Sequence, residues 1–309
     1  MKHQNYVGRF APSPSGPLHY GSFVAATASY LQAKHNNGQW LLRIEDIDPP
    51  REVIGATNDI LATLEFFQFA WDQTPLYQST RFDEYHSALN ILTQRSQAYA
   101  CSCSRKDLTD NIQKSTLGKR YPGTCAKKQL EVKSTKLNIR LRTDDKFISF
   151  HDANYGDLSH NLFKEIGDII IYRKFDLPSY ALAVTVDDAY QGITEVVRGY
   201  DLLAFTPVQL YLCQQLQLSI PKFLHIPIIV NSQGQKLSKQ TGAEALSKQN
   251  CATTLVQALK HLGQLMPVEL EKDLLKNKLE KDKLRLIWSW AIKHWNVDNI
   301  PKTKKIHIP

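Results

Sequence analysis

The stretch that most constrains this chain is Gly8-Arg9-Phe10-Ala11-Pro12-Ser13-Pro14-Ser15-Gly16-Pro17-Leu18-His19-Tyr20-Gly21. Tyr6 and Val7 begin a short apolar strand before it. Ser22 to His35 reads as an Ala-rich helix, and Asn36-Asn37-Gly38 stops it. Pro12, Pro14 and Pro17 stiffen the loop, while Gly16 and Gly21 let a ligand approach the backbone. A strand that passes through such a loop into a helix leaves free backbone N–H groups and the positive end of the helix dipole beside His19. That combination favours phosphate. The glycine spacing is not G-x-G-x-x-G, and no Gly-Lys-Ser/Thr follows, so the dinucleotide and P-loop templates do not apply. Taken alone, the same residues would also make a Pro-rich turn ahead of a surface helix.

A second stretch decides between these readings. Lys236-Leu237-Ser238-Lys239-Gln240 follows the apolar run Ile226 to Val230 and the turn Asn231-Ser232-Gln233-Gly234. Two lysines three apart on a loop suit a polyphosphate whose charge shifts during reaction. Together the stretches resemble the paired "HIGH" and "KMSKS" motifs of class I aminoacyl-tRNA synthetases. Ser22 stands where a second His or an Asn is usual, and Gln240 replaces the last Ser. The resemblance implies an α/β fold: a Rossmann-like parallel sheet split by an insertion.

Charge is consistent with a polyanionic partner. The 309-residue chain carries a net +8. Residues 95–142 hold 12 Lys/Arg against 3 Asp/Glu, and residues 222–309 hold 15 against 7, so the remainder is acidic. Two basic zones on an acidic body read as a nucleic-acid footprint, with plain solvated faces as the other reading. No apolar run reaches the length of a membrane span, and the first residues carry no apolar signal region. Five Cys, an odd number in a chain this long, suit a reducing cytoplasm.

Gln39 to Ile44 reads as a second strand, with Glu45-Asp46-Ile47-Asp48 at its carboxyl end, where open parallel sheets bind ligands. Asp48 reads as a helix cap. Val53 to Phe67 has helical spacing, and Ser79 and Thr80 with Asp83 and Glu84 open another helix to about Arg95. Leu137 to Arg142 and Phe147 to Phe150 read as a strand pair, and Asp168 to Tyr172 as a short buried strand. Tyr180 to Val186, a near-continuous apolar run before Asp187-Asp188, reads as a central parallel strand. Glu195 to Gly199 is another strand, and Thr206-Pro207 starts a helix to about Gln217. The last 69 residues read as helices around Trp288, Trp290 and Trp295, with a frayed Lys302 to Lys305. The segments are therefore 1–98, first half of the nucleotide-binding fold; 99–172, basic insertion; 173–245, second half; and 246–309, a short helical region.

Cys101, Cys103 and Cys125 with a fourth donor suit a zinc ion stapling a poorly apolar loop, although Cys-x-Cys plus one Cys also fits small buried cysteines. By chemistry alone, Tyr121, His151 and His160 are all open as the fourth donor. Cys213 and Cys251 sit in apolar helical contexts.

Within class I, Arg9 to Ser13 and Arg43-Ile44-Glu45-Asp46 closely resemble glutamyl-tRNA synthetases. The resemblance implies that Arg9, Tyr180 and Arg198, with Ala11 and Ser13 alongside, hold the side-chain carboxylate of L-glutamate, and that Glu45 takes its α-ammonium. It implies that His19, Gly21, Lys236 and Lys239 serve ATP, with His19 and the two lysines catalytic and Mg²⁺ accompanying the nucleotide. The short region after Gln240 departs from full-length enzymes and resembles one shortened family, the glutamyl-queuosine tRNA(Asp) synthetases. That family implies tRNA-independent activation of glutamate and its transfer to queuosine in the anticodon stem-loop of tRNA(Asp). It also implies one structural zinc on Cys101, Cys103, Tyr121 and Cys125. A cytoplasmic monomer is expected. A truncated synthetase charging tRNA(Glu), and an inactive RNA-binding paralogue, are the other readings.

Overall fold

The loop between the first strand and helix is pinned at both ends. Strand β1 (Val7–Phe10) leads into it and helix α1 (Tyr20–His35) out of it. In this computed structural model the described residues are 5–308, apart from 105–106, 108–113, 116, 129, 133–135, 238–244, 248 and 276–278. β2 (Gln39–Ile44) runs parallel to β1, with Arg9 opposite Leu41. The Glu45 amide donates to the Pro12 carbonyl and the Val53 amide to the Pro14 carbonyl, which ties the loop to the end of β2. Helix α2 (Ala56–Phe66), the short strand β3 (Leu76–Tyr77, parallel to β2) and α3 (Phe82–Gln94) complete this half.

The chain then enters a stretch rich in short strands. It makes β4 (Ala98–Cys101), β5 (Lys114–Ser115), β6 (Gly118–Lys119), β7 (Asn138–Leu141), β8 (Ile148–Asp152), β9 (Gly156–His160), the single turn α4 (Leu162–Glu165), β10 (Ile169–Arg173) and β11 (Leu177–Pro178). Four of these form an antiparallel sheet in the order β11-β10-β7-β4. The chain continues through α5 (Tyr180–Tyr190), β12 (Glu195–Gly199), α6 (Thr206–Leu216), β13 (Lys222–Ile226) and β14 (Ile228–Val230). β12 and β13 are parallel, and Phe223 of β13 pairs with Asp152 of β8, so β8 and β9 join the sheet of β12 and β13.

β12 lies beside β1. The Val7 amide donates to Thr194 Oγ1 at 2.9 Å, and the Thr194 amide donates to the Val7 carbonyl at 2.9 Å. The parallel layer therefore reads β3-β2-β1-β12-β13-β8, with β9 antiparallel at its edge, a doubly wound order whose direction reverses between β1 and β12. Ligands bind at the carboxyl ends of such a switch point. The α/β class follows from this layer and the helices against it.

Three local expectations are corrected. Tyr180 to Val186 is not a strand but the start of α5. Ser179 caps that helix by accepting the Leu182 amide at 3.3 Å, and α5 packs against α3, α6 and β10, so nearly every side of it is apolar. The segments 137–142 and 147–150 do not pair with each other. β4 and β10 occupy both edges of β7, and β8 pairs with β9 and β13. Lys302 to Lys305 is not frayed: it leads into β15 (Lys305–His307), which runs parallel to β14.

Helices α7 (Cys251–His261), α8 (Val268–Leu275) and α9 (Glu280–His294) follow, and α7 and α9 cover α1. Trp288 and Trp295 are buried there, and Trp290 is half-buried. The Trp288 indole donates to the Phe67 carbonyl at 2.8 Å and the Trp295 indole to Gln32 Oε1 at 2.6 Å. Cys213 and Cys251 are buried. Among the described residues no helix is long and apolar enough to cross a membrane.

Candidate active site

The carboxyl ends of β1, β2, β12 and β13 open into one cleft of about 580 Å³. Its lining brings together Arg9, Ala11 and Ser13 from the first loop, His19 and Gly21 from the start of α1, and Glu45 after β2. Tyr180 from α5, Arg198 from β12 and Lys236 after β14 complete it. Lys239 lies outside the described residues.

The end of the cleft around Arg9, Glu45 and Arg198 is built from buried charge. Arg9 donates from Nε to Asp188 Oδ1 at 3.0 Å and from Nη2 to Asp188 Oδ2 at 3.4 Å. Arg43 Nη1 lies 2.8 Å from the same Asp188, and its Nη2 lies 3.6 Å from Glu45 Oε1. Burial would raise Asp188, but Arg9 and Arg43 outweigh it and hold the carboxyl below its usual value. Glu45 is less well compensated. Burial pushes it up to about 7 against the pull of Arg43 and Arg9, and its Oε1 accepts no hydrogen bond among the described residues. A buried carboxylate with an unsatisfied oxygen favours a cationic ligand.

Arg198 is the opposite case. It is buried, and its Nη1 has no hydrogen-bond partner among the described residues. Its other nitrogens donate to His225 Nε2 at 2.9 Å, to Thr206 Oγ1 at 2.8 Å and to the Leu202 carbonyl at 3.2 Å. Burial lowers its pKa, and neighbouring Tyr180 and Asp188 only partly offset that. Tyr180 is itself pushed up to about 12, chiefly by burial. An anionic group placed beside Arg198 Nη1 would relieve both the orphaned donor and the desolvated charge.

The end of the cleft at the start of α1 is tighter than the sequence shows. His19 caps α1: its Nδ1 accepts the Ser22 amide at 3.1 Å, which in the neutral ring leaves the proton on Nε2. A Cβ on Gly21 would crowd His19 Nδ1 at 3.3 Å and reach ordinary contact with the Leu237 carbonyl at 3.5 Å, so this glycine leaves room for the His19 ring. The Leu246 amide donates to the Leu18 carbonyl at 2.9 Å, and His19 and Ala245 form an isolated antiparallel bridge. Both flanks of the Lys239 segment are thereby held against the first motif. Lys236 Nζ donates to Asp201 Oδ2 at 2.6 Å at the rim.

A second cleft of about 440 Å³ adjoins the first and shares Ser13, Glu45, Arg51 and Tyr180 with it. Its far side is β10 of the insertion, with Ile169, Ile170 and Arg173. Asp48, expected as a helix cap, makes no side-chain cap bond but pairs with Arg51 and lies 3.6 Å from Arg173.

In the insertion, the thiols of Cys101, Cys103 and Cys125 lie within 4.8 Å of one another, a group able to hold a metal ion. Tyr121 Oη is 3.4 Å from Cys101 Sγ and 3.8 Å from Cys103 Sγ. Burial would raise Cys125, but the Ser102 hydroxyl and amide help bring it down to about 6, toward the thiolate that a metal needs. Arg140 donates to Cys101 Sγ at 3.3 Å and stacks 3.5 Å over the Tyr121 ring. His151 and His160 face Asp157 and Glu165 instead.

Sequence reasoning missed His225 and Asp152, and it met Arg43 and Asp188 without giving either a role. Asp188 carried a usable signal, an acid ending an apolar run. His225 and Asp152 carried none, because they meet only across the β13–β8 pairing.

A doubly wound sheet whose switch point gathers the first motif with Lys236 and Leu237 of the second has the layout of a nucleotide-dependent ligase of the class I synthetase type. Residues 6–266 match the family described as tRNA synthetases class I (E and Q), catalytic domain, and the chain belongs to that family. Within it, the chain belongs with the glutamyl-Q tRNA(Asp) synthetases. It is 44% identical to the enzyme of that name from Dechloromonas aromatica (strain RCB) over 98% of both chains. It is also 44% identical to that of Serratia proteamaculans (strain 568), over 100% of this chain and 96% of the relative. The glutamate-tRNA synthetase of Elizabethkingia anophelis superposes with a TM-score of 0.75 at 25% identity, over 98% of this chain and 68% of that one.

Proposed function

We propose that this chain joins L-glutamate to ATP without tRNA, forming glutamyl-adenylate, and then transfers the glutamyl group to the queuosine base at the wobble position of tRNA(Asp). The observation that carries the substrate assignment is a pair of buried atoms at one cleft that have no hydrogen-bond partner among the described residues: Glu45 Oε1, an acceptor, and Arg198 Nη1, a donor. An α-amino acid with an acidic side chain supplies an ammonium for the first and a carboxylate for the second. Glutamine would leave a buried guanidinium nitrogen without its anionic partner, which is a strong source of discrimination.

The glutamate α-carboxylate oxygen attacks the α-phosphorus of ATP, and pyrophosphate leaves. No protein nucleophile takes part, so the chain positions and neutralises. His19, the start of α1 and Gly21 receive the phosphates, and Lys236 and Lys239 offset the charge of the departing pyrophosphate. Mg²⁺ enters with the nucleotide. In the second step a hydroxyl of queuosine attacks the adenylate carbonyl and AMP leaves. The adjoining 440 Å³ cleft, open to both the glutamate end and the insertion, suits that incoming nucleoside. Cys101, Cys103, Cys125 and Tyr121 would hold one zinc ion, which cross-links the insertion and takes no part in the chemistry.

The test is incorporation of labelled glutamate into an isolated tRNA(Asp) anticodon stem-loop. The loop carrying queuosine accepts label, and the loop carrying guanosine does not. Loss of all acceptance by whole tRNA once its 3′-terminal adenosine is removed would restore the reading of a tRNA(Glu)-charging enzyme.

A further inference from the structure

Arg198 is aimed by a buried relay that none of the motifs contains. Asp152, on β8, is fully buried, and its Oδ2 lies 2.6 Å from His225 Nδ1. The His225 backbone amide also donates to Asp152 Oδ2, at 3.1 Å. His225, on β13 and fully buried, presents Nε2 to Arg198 Nε at 2.9 Å. An arginine Nε always donates, so His225 Nε2 must accept. The imidazole is therefore neutral with its proton on Nδ1, the tautomer that a carboxylate at Asp152 selects. Arg198 Nη2 donates to Thr206 Oγ1 at 2.8 Å along the guanidinium edge, and the guanidinium lies over the Phe223 ring, 5.6 Å from its centre. Two of the three nitrogens are used by fixed neutral acceptors. The third, Nη1, is left over and buried at the cleft.

We propose that Asp152 and His225 are positioning residues: they fix the guanidinium of Arg198 so that Nη1 alone is offered to the side-chain carboxylate of the amino-acid substrate. This rests on the assignment of Arg198 to glutamate made above. Using neutral acceptors has a chemical purpose. A carboxylate in direct contact with Arg198 would compete with the ligand, whereas an imidazole holds the side chain without neutralising it. Arg9 contrasts with this, being already paired to Asp188.

Two substitutions at one position separate positioning from packing. His225→Gln places a carbonyl oxygen near the former Nε2 and can still accept from Arg198. His225→Asn places an amide near the former Nδ1, keeps the bond to Asp152 and leaves Arg198 Nε without an acceptor. We expect His225→Asn to raise the glutamate KM by about tenfold or more in pyrophosphate exchange and to narrow the preference for glutamate over glutamine, with the ATP KM unchanged. His225→Gln should recover most of the glutamate KM. Equal losses in both variants, or a parallel rise in the ATP KM, would make the pair merely structural and overturn the proposal. Direct titration of glutamate onto Arg198→Lys tests the underlying assignment. Unchanged affinity there would remove Arg198 from the substrate, and the proposal with it, whatever the His225 variants show.

Discussion

With Glu45 receiving the α-ammonium as proposed, the free enzyme's affinity for glutamate should depend on pH in an unusual window. Its carboxyl is 8% exposed and pushed up to about 7 by burial, against the pull of Arg43 and Arg9. The form that receives an α-ammonium is the ionised one. A raised pKa means that this form is lost as pH falls through about 7, far above the usual carboxylate range. Roughly one-tenth of the protein is competent at pH 6 and nine-tenths at pH 8, so the dissociation constant should be about tenfold larger at pH 6, or about 1.4 kcal/mol. Substrate titration contributes little, since glutamate keeps its ammonium and side-chain charge across that range. The same shift acts on folding with the opposite sense. The unfolded chain releases this proton at lower pH, so this group alone removes roughly 3 kcal/mol of stability as pH rises from about 4.5 to 7. Calorimetric titration of glutamate without ATP, at pH steps from 5 to 8, reads the binding effect directly. Glu45→Gln should bind weakly and without pH dependence. A wild-type dissociation constant flat from pH 6 to 8, rising only below 5, would show that Glu45 is an ordinary carboxylate and refute the reasoning.

The other expectations concern charge, metal, chemistry and packing. Asp188→Asn leaves Arg9 and Arg43 buried without their shared carboxylate and should cost about 3–5 kcal/mol in urea unfolding; a loss under about 1 kcal/mol would show the pair to be solvated. Metal analysis should find one zinc per chain, lost in Cys125→Ser, reduced in Tyr121→Phe and kept in His151→Ala; full zinc in Tyr121→Phe with loss in His151→Ala would reassign the fourth ligand. Lys239→Ala should slow pyrophosphate exchange far more than it weakens glutamate binding, and equal losses would count against a role with the leaving group. Trp288→Ala removes a buried ring that packs on Tyr30 and Phe69 and should cost about 3–5 kcal/mol by thermal or denaturant unfolding, with little change if the C-terminal helices were only loosely attached.

The parts of the fold that the sequence discloses are those whose signals are local. β1, α1 and β2 follow from a Pro/Gly loop between an apolar strand and an Ala-rich helix. α6 follows from Thr206-Pro207, and both are built as expected. What failed depends on neighbours. Tyr180 to Val186 has the composition of a buried strand, and only the packing of α3, α6 and β10 around it turns a short apolar run into a helix. That error also hid Asp188. Placed at the end of a strand it would be a loop acid, whereas in α5 it projects between Arg9 and Arg43. The residues expected for glutamate and ATP, except Lys239, lie around one cleft. Arg9 is not a free guanidinium there, since its ion pair crosses 179 residues of sequence. The relay behind Arg198 was invisible for the same reason: it exists only where β13 and β8 meet.

The junction of β1 with β12 has a consequence for how the molecule comes into being. Val7 and Thr194 are 187 positions apart, and every residue of the insertion is made between them. On a ribosome adding about 5–20 residues per second, the first strand waits roughly 10–40 seconds for its neighbour. Throughout that time β1 has one open edge, and the face of α1 that α7 and α9 later cover is also bare. The Pro-rich loop after Phe10 and the Gly8 that precedes it are poor templates for a foreign strand, which limits pairing with another nascent chain. The split that lets two halves of a sheet share one substrate thus makes the substrate pocket a late product of synthesis. A chain stalled inside the insertion would hold Arg9 and Glu45 but neither Tyr180 nor Arg198.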